Sequence, residues 1–209
     1  MSSILALDTS TARGGVALVR NGAVVFERHF TSERSHNSQL FGPLAEALER
    51  CGADLRAIVV GLGPGSYTGA RIGIAAAQGI ALSRAVPVIG LLSVLAPELA
   101  TGNSFVVCGD ARRGKFFIAR VRAGMLDGEV TLHDADGFTE QRAMEADVPW
   151  FSFDVRPPLD LASITLTSPS AARLGLLASA MTDEAMWTLE QEPLQPYYLA
   201  ATFVTKPRV

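Results

Sequence analysis

The sequence predicts an α/β protein of mixed sheets with flanking helices, and three observations carry that prediction. Three strand-like runs open the chain, with a turn signal between the second and third. A helix, a strand, a helix and a strand follow in that order. After residue 104 a new series of strands again leads to a helix, so the two halves share one plan.

Each element follows from its residues. Ile4–Leu7 is a short apolar run and Gly15–Val19 is a second. Asn21-Gly22 separates Val16–Arg20 from Val24–Phe30. Asn-Gly accepts positive φ at both central positions of a type I′ turn, so these strands form an antiparallel hairpin. Leu40, Phe41, Leu44, Ala45 and Leu48 repeat at helical spacing, with Ser35 or Asn37 as cap and Gly52 as the stop after Arg50. Ala57–Val60 reads as a strand, Ala70–Arg84 as an apolar helix and Val86–Ile89 as a buried strand. Ser93 can cap a helix through Leu99 that Pro97 would kink. A change of composition at Thr101–Ser104 marks a boundary between an N-terminal lobe, 1–101, and a smaller, divergent lobe, 102–209. In the second lobe Phe105–Cys108, Lys115–Val121, Glu129–His133, Trp150–Phe153 and Ile164–Leu166 read as strands. Ser168 with Pro169 starts a helix to about Met181, and the tail from Thr182, with Pro193, Pro196 and Pro207, reads as irregular.

Composition narrows the function classes. With 209 residues, 48% hydrophobic and 19% charged, the chain can bury a core and is not disordered. Lys+Arg is 18 and Asp+Glu is 21, a net charge of −3, so there is no basic surplus for gripping nucleic acid unaided. Cys51 and Cys108 form neither a disulfide framework nor a CxxC zinc pair. Asp8 comes too early for the apolar stretch of a signal peptide. The run Ile72–Leu82 holds Gln78 and two glycines and is too short to span a bilayer. The expectation is a soluble, cytoplasmic protein without a membrane partner.

Two motifs can carry ligand chemistry. Asp8-Thr9-Ser10-Thr11 ends the first strand and runs towards Gly14-Gly15. An acid followed by hydroxyls in a strand–turn–strand can hold phosphate oxygens or hydrated Mg²⁺, while the commoner use of such an Asp is to accept from its own turn amides. Gly61–Gly73 reads GLGPGSYTGARIG, with four glycines and a proline inside its first nine residues. Its loop opens onto a helix N-terminus, where backbone N–H groups attract anions. The same glycines serve equally well for close packing of a strand on the next helix. The motif is neither a Walker A loop nor a dinucleotide fingerprint, because the lysine and the downstream acid are missing.

Other chemistry is less supported. His29, His36 and His133 form no HxxH or HxxxH pair, so no helical metal site is expected. No GxSxG elbow occurs, and no Ser–His or Cys–His pair can be placed, which argues against a protease. Asp110-Ala111-Arg112-Arg113-Gly114-Lys115 reads as a hairpin turn that is either solvated or presents Arg112 to a phosphate or carboxylate.

Taken together, these residues resemble the TsaB (YeaZ) family of tRNA threonylcarbamoyladenosine biosynthesis proteins. The likeness runs through ILALDTST at Ile4–Thr11, RSHNSQL at Arg34–Leu40, GPGSYTGARIGIAAAQGIAL at Gly63–Leu82, PVIGLLSVLA at Pro87–Ala96, DARRGKFF at Asp110–Phe117 and PYYL at Pro196–Leu199. Little of 125–192 takes part. The chain departs from the family pattern at Tyr67, where Phe is usual, and at Ala200, where the tail pattern PxYLR has arginine.

The resemblance implies an actin-like ATPase (ASKHA) fold of two ribonuclease-H-like lobes. It implies an accessory subunit, not the catalyst, which would bind and stabilise the paralogue TsaD together with the ATPase TsaE. TsaD carries an HxxxH metal pair that this sequence lacks. Threonylcarbamoyl would be transferred to adenosine next to the tRNA anticodon, with tRNA met only through the complex. Alone, such a chain would homodimerise. The implied partner face comprises Ser38, Leu40, Phe41, Leu44 and Leu48 with Arg71, Ile72, Ile74, Ala75 and Gln78. Small residues at Ala75, Ala76, Ala77 and Gly79 would let a helix pair approach closely, although the apolar positions also suit an internal core. No cofactor or metal is required, and ATP or ADP at the partner interface is an optional ligand. The rival expectation is a small ATPase or kinase that binds ATP·Mg²⁺ by itself, with Asp8, Thr9, Ser10, Gly63, Gly65 and Ser66 around the nucleotide.

Overall fold

The computed structural model describes residues 2–31 and 36–199. The first lobe is built on a five-stranded sheet of β1 (Ser3–Asp8), β2 (Arg13–Arg20), β3 (Ala23–Thr31), β4 (Leu55–Gly61) and β5 (Val88–Leu91), in the order β3-β2-β1-β4-β5. β1 runs antiparallel to β2 and parallel to β4, and β4 runs parallel to β5. The β2–β3 turn has φ 50° at Asn21 and 76° at Gly22, the positive pair a type I′ turn demands.

Strand alternation divides the apolar residues of this sheet between two cores. Leu5, Leu7, Val16 and Leu18 face α1 (His36–Cys51) and α2 (Tyr67–Arg84), which contribute Leu40, Leu44, Ile74 and Ala77. Ile4, Ala6, Ala17 and Val19 face the opposite side.

The second sheet repeats the plan. It comprises β6 (Ser104–Arg112), β7 (Lys115–Arg122), β8 (Met125–Leu126), β9 (Thr131–His133), β10 (Trp150–Ser152) and β11 (Ile164–Leu166), in the order β11-β10-β6-β7-β8 with β9 also on β7. β6–β7 is an antiparallel hairpin, and β10 and β11 add in parallel. A central strand flanked by a hairpin on one side and parallel strands on the other therefore occurs twice. This is the actin-like, two-lobed arrangement of ribonuclease-H-like units. A helix absent from the expectations, α3 (Ala135–Met144), covers the second sheet through Phe138, whose ring lies edge-on to Trp150 at 5.7 Å. Asp134 caps it by accepting from Gly137 N–H at 3.0 Å.

The chain then returns to the first sheet. α4 (Ala171–Ser179) and α5 (Asp183–Glu190) bring Leu174, Ala178 and Met186 onto Ile4, Ala6 and Val19. Residues counted with the second lobe on sequence grounds thus complete the core of the first.

Several element boundaries differ from expectation, each for a local reason. α2 starts at Tyr67, not Ala70, because Ser66 Oγ caps it by accepting from Gly69 N–H at 3.1 Å. The strand expected at Val86–Ile89 lies at Val88–Leu91, and that expected from Glu129 starts at Thr131. Ser93 caps no helix: Ser93–Leu95 is a single 3-10 turn, and Ser93 Oγ accepts from Gly63 N–H at 2.9 Å. Pro97 pairs with Pro169 in an isolated bridge, so Ser170, not Ser168, caps the fourth helix. α5 occupies part of the tail expected to be irregular, with Thr182 as cap. The proposed capping by Ser35 or Asn37 lies outside the described residues.

Candidate functional site: the interlobe cleft and the outer face of the second helix

The end of β1 is wrapped by the glycine motif. Asp8, Thr9 and Ser10 are all fully buried. Asp8 Oδ1 accepts from Ser10 N–H at 2.8 Å and from the Ser10 hydroxyl at 2.7 Å, an Asx turn. Ser10 Oγ lies 3.0 Å from Ser93 Oγ, and Thr9 Oγ1 donates to Gly69 O at 2.7 Å.

The glycines are spent on this contact. A Cβ at Gly61 would stand 1.9 Å from Asp8 Oδ2, at Gly65 2.2 Å from Ser10 O, at Gly69 2.0 Å from Thr9 O, and at Gly73 2.4 Å from Thr9 Oγ1. Loop amides are spent as well: Ser66 N–H donates to Ser10 O at 2.5 Å and Leu62 N–H to Leu91 O at 2.8 Å. Of the two uses open to the motif, close packing of a strand end on a helix start is the one the geometry fills. Asp8 Oδ2 is buried without a hydrogen-bond partner, and burial pushes the carboxyl above its usual range despite the Ser93 and Ser10 contacts.

Only part of the expected nucleotide set meets in one place. Ser10, Gly65 and Ser66 line a cleft of about 640 Å³ between the lobes, whereas Asp8, Thr9 and Gly63 are not in its wall. Across the cleft stands the β6–β7 hairpin. The Arg113-Gly114 tip has φ 55° and 70°, and a register shift between Asp110 and Arg112 leaves Arg112 at φ 71°. Arg112 N–H donates to Asp110 Oδ1 at 2.7 Å, and Asp110 N–H donates to Asp154 Oδ2 at 2.8 Å. Asp154 is held above the usual carboxylate range, chiefly by burial. Sequence reading singled out Arg112 but missed Asp154, whose approach depends on the tertiary contact with Gly109 and Asp110.

The expected partner face also divides. Leu40 is 0% exposed, Leu44 3% and Ile74 6%, all inside the first core, while Leu48 and Ile72 are half-buried against it. Phe41 is 59% exposed, and Arg71, Ala75 and Gln78 point outward from α1 and α2. The Ser38 side chain and Ala200 lie outside the described residues. Missed on the sequence was the course of residues 194–199, which join the lobes. Leu194 packs on the first core and Leu199 on the second-lobe core, and Tyr197 N–H donates to Leu62 O at 2.8 Å. Tyr198 stacks near Tyr67, with ring centroids 5.4 Å apart.

Nucleophilic pairs do not form among the described residues: His29 meets Glu27 at 3.3 Å and His133 meets Thr131 at 2.9 Å, so neither bonds to a serine or cysteine. Burial pushes the Cys108 thiol far up, and its Sγ donates to Phe151 O. No helix among the described residues is long and apolar enough to cross a membrane.

Comparison with known proteins agrees with this architecture. Residues 30–140, more than half of the 209, match the family model described as TsaD: tRNA N6-adenosine threonylcarbamoyltransferase. The tRNA threonylcarbamoyladenosine biosynthesis protein TsaB of Escherichia coli (strain K12) is 36% identical over 140 residues, 61% of this chain and 60% of that protein. TsaB of Bacillus subtilis (strain 168) is 35% identical over 134 residues, 60% of this chain and 58% of that protein. The chain thus spans about 60% of the length of these curated relatives. A Pseudomonas aeruginosa crystal structure, described as an uncharacterized protein with similarity to peptidase YeaZ, superposes with a TM-score of 0.70 at 24% identity, covering 95% of this chain and 100% of that one. At that identity the likeness bears on the fold alone.

Proposed function

Because the chain belongs to the TsaB (YeaZ) family, we propose that it is an accessory scaffold in the biosynthesis of tRNA threonylcarbamoyladenosine, binding and stabilising a TsaD-type protein together with TsaE. The observation that carries this is the filling of the glycine motif. Residues 8–10 occupy the space that Gly61, Gly65, Gly69 and Gly73 leave free, and the Asp8 carboxylate is fully buried. An acid so placed holds the fold together and reaches no substrate. Phe41, Arg71, Ala75 and Gln78 supply the outward residues of the docking face. The complex forms in the cytoplasm, tRNA is met through the assembly, and the chain forms a homodimer when the partner is absent. A chain of net charge −3 lacks the cation surplus for tRNA on its own. Co-elution in size-exclusion chromatography of the full chain with a TsaD-type protein of the same organism, with ATP and TsaE present, tests the proposal. Separate elution under all these conditions contradicts it.

A second function is favoured by one observation, the cleft where Ser10 and Ser66 face Arg112. There the chain would bind ATP·Mg²⁺ alone. Titration calorimetry separates the two: micromolar binding is worth about −8 kcal/mol and gives a measurable isotherm. The scaffold role predicts none for the isolated chain.

A further inference from the structure

A groove of about 440 Å³ runs between α2 and residues 194–198, floored by Ile74, Ala75, Leu194 and Pro196 and edged by Gln78. At its head stands Arg71. Its guanidinium lies 4.0 Å from the centroid of the Tyr67 ring and donates to Tyr198 Oη at 3.4 Å. Two aromatic residues thus set the plane of an exposed cation, so less side-chain freedom is lost when it binds.

The charges around Arg71 are unbalanced. None of the ion pairs formed among the described residues uses it. The 18 residues of α2 include Arg71 and Arg84 and no acid, and Pro193–Leu199 carry no charge at all. On a molecule of net charge −3 this groove is a local positive site with an apolar floor.

We propose that the groove seats a carboxylate-bearing segment of the partner protein, an Asp or Glu next to an apolar side chain, with Arg71 as the anchor. This rests on the scaffold role proposed above and names the chemistry by which it is exercised. A guanidinium takes a carboxylate in a two-point contact, and Arg with Tyr at the centre of a patch is the residue set that dominates interface energetics. Charge complementarity disfavours the other occupants. A nucleic-acid backbone needs several cations, and the groove offers one. Residues 200–209 of this chain contain Lys206 and Arg208 and no acidic side chain. A two-fold contact between copies through α2 would lay an acid-free face upon itself.

The experiment measures the affinity of the full chain for the TsaD-type partner by calorimetry, for wild type and for R71E, R71K and Y198F. Melting temperatures and circular dichroism show that each variant folds. R71E is expected to weaken binding by about tenfold or more, R71K less, and Y198F by about two- to threefold. Raising salt from about 50 to about 500 mM should weaken the wild-type complex and leave the R71E complex nearly unchanged. Equal affinity of wild type and R71E overturns the inference and leaves the scaffold role standing. Absence of any wild-type complex overturns both. If R71E loses only self-association, the occupant is a second copy. If it loses only the retention of tRNA by the assembled complex, the occupant is a phosphate. Either result overturns the proposal.

Discussion

At position 61 a single methyl group decides whether the first strand can end where it does. Placing Cβ there, 1.9 Å from Asp8 Oδ2 and 2.8 Å from Ser93 Oγ, drives apart three buried segments. G61A should therefore cost about 1–3 kcal/mol in urea unfolding. Gly79 is the contrast: a Cβ there meets nothing within 4 Å, and the residue lies inside α2. G79A should stabilise by about 0.5–1 kcal/mol, because the unfolded chain loses freedom and the helix loses nothing. Asp8 gives a pH signature. Its usual value is 3.8, and burial raises it in the folded chain. The native state therefore holds this proton over a window that opens at the unfolded value and closes at the raised one. Native protein binds more protons there, so Asp8 makes stability fall as pH rises through the window and stay level above it. D8N keeps an oxygen for the Ser10 contacts and has no charge to bury. Denaturation at a series of pH values should show its stability gaining on wild type as pH rises through that window. Parallel curves would contradict the assigned state of Asp8. The sequence favoured a turn role for Asp8 over a phosphate or metal role, and the Asx turn bears that out, but its burial was not legible. Four glycines gave the motif away, but what they approach is set by tertiary contact.

Secondary structure was most legible where a local signal had one meaning. Asn21-Gly22 specifies its turn by itself, and the hairpin is where the dipeptide puts it. Signals failed where two local rules competed. Ser168-Pro169 fits a helix start as well as Ser170 does, and the bridge between Pro97 and Pro169 decides for Ser170. Prolines at 193 and 196 suggested an irregular tail, yet Thr182 followed by Asp183 and Glu184 is a sound start for α5. α3 has few apolar residues and Gly137 in its first turn, so it showed little periodicity. The return of α4 to the first sheet carries the largest energetic consequence. Leu174 is fully buried against that sheet, whereas Leu176 is 36% exposed. L174A should cost about 2–5 kcal/mol and L176A well under half of that. Hydrogen exchange should show the L174A loss in β1 and β4, not in β6. Loss confined to the second sheet would contradict this packing.

At the scale of the molecule, one plan is used twice. A central strand with a hairpin on one side and parallel strands on the other forms each lobe, and residues 194–199 tie the lobes together across the cleft. The repeated order of strands and helices was readable from residue patterns. The cleft, the joining segment and the Tyr67–Arg71–Tyr198 cluster were not, because each joins residues far apart in the chain. The fold buries the acid–hydroxyl end of β1, while Arg71, Ala75 and Gln78 on the outer surface of α2 stay open. Under the proposed scaffold role, a protein so built acts by docking, not by chemistry at Asp8. The most direct test is reconstituted threonylcarbamoyl transfer to tRNA by the TsaD-type partner and TsaE, supplied with wild-type chain, with folded D8N or with folded R71E. Modification should require the chain, persist with D8N, and fall with R71E in proportion to its weakened binding. Transfer that proceeds without the chain, or that D8N abolishes while its fold and partner affinity are intact, would contradict the account.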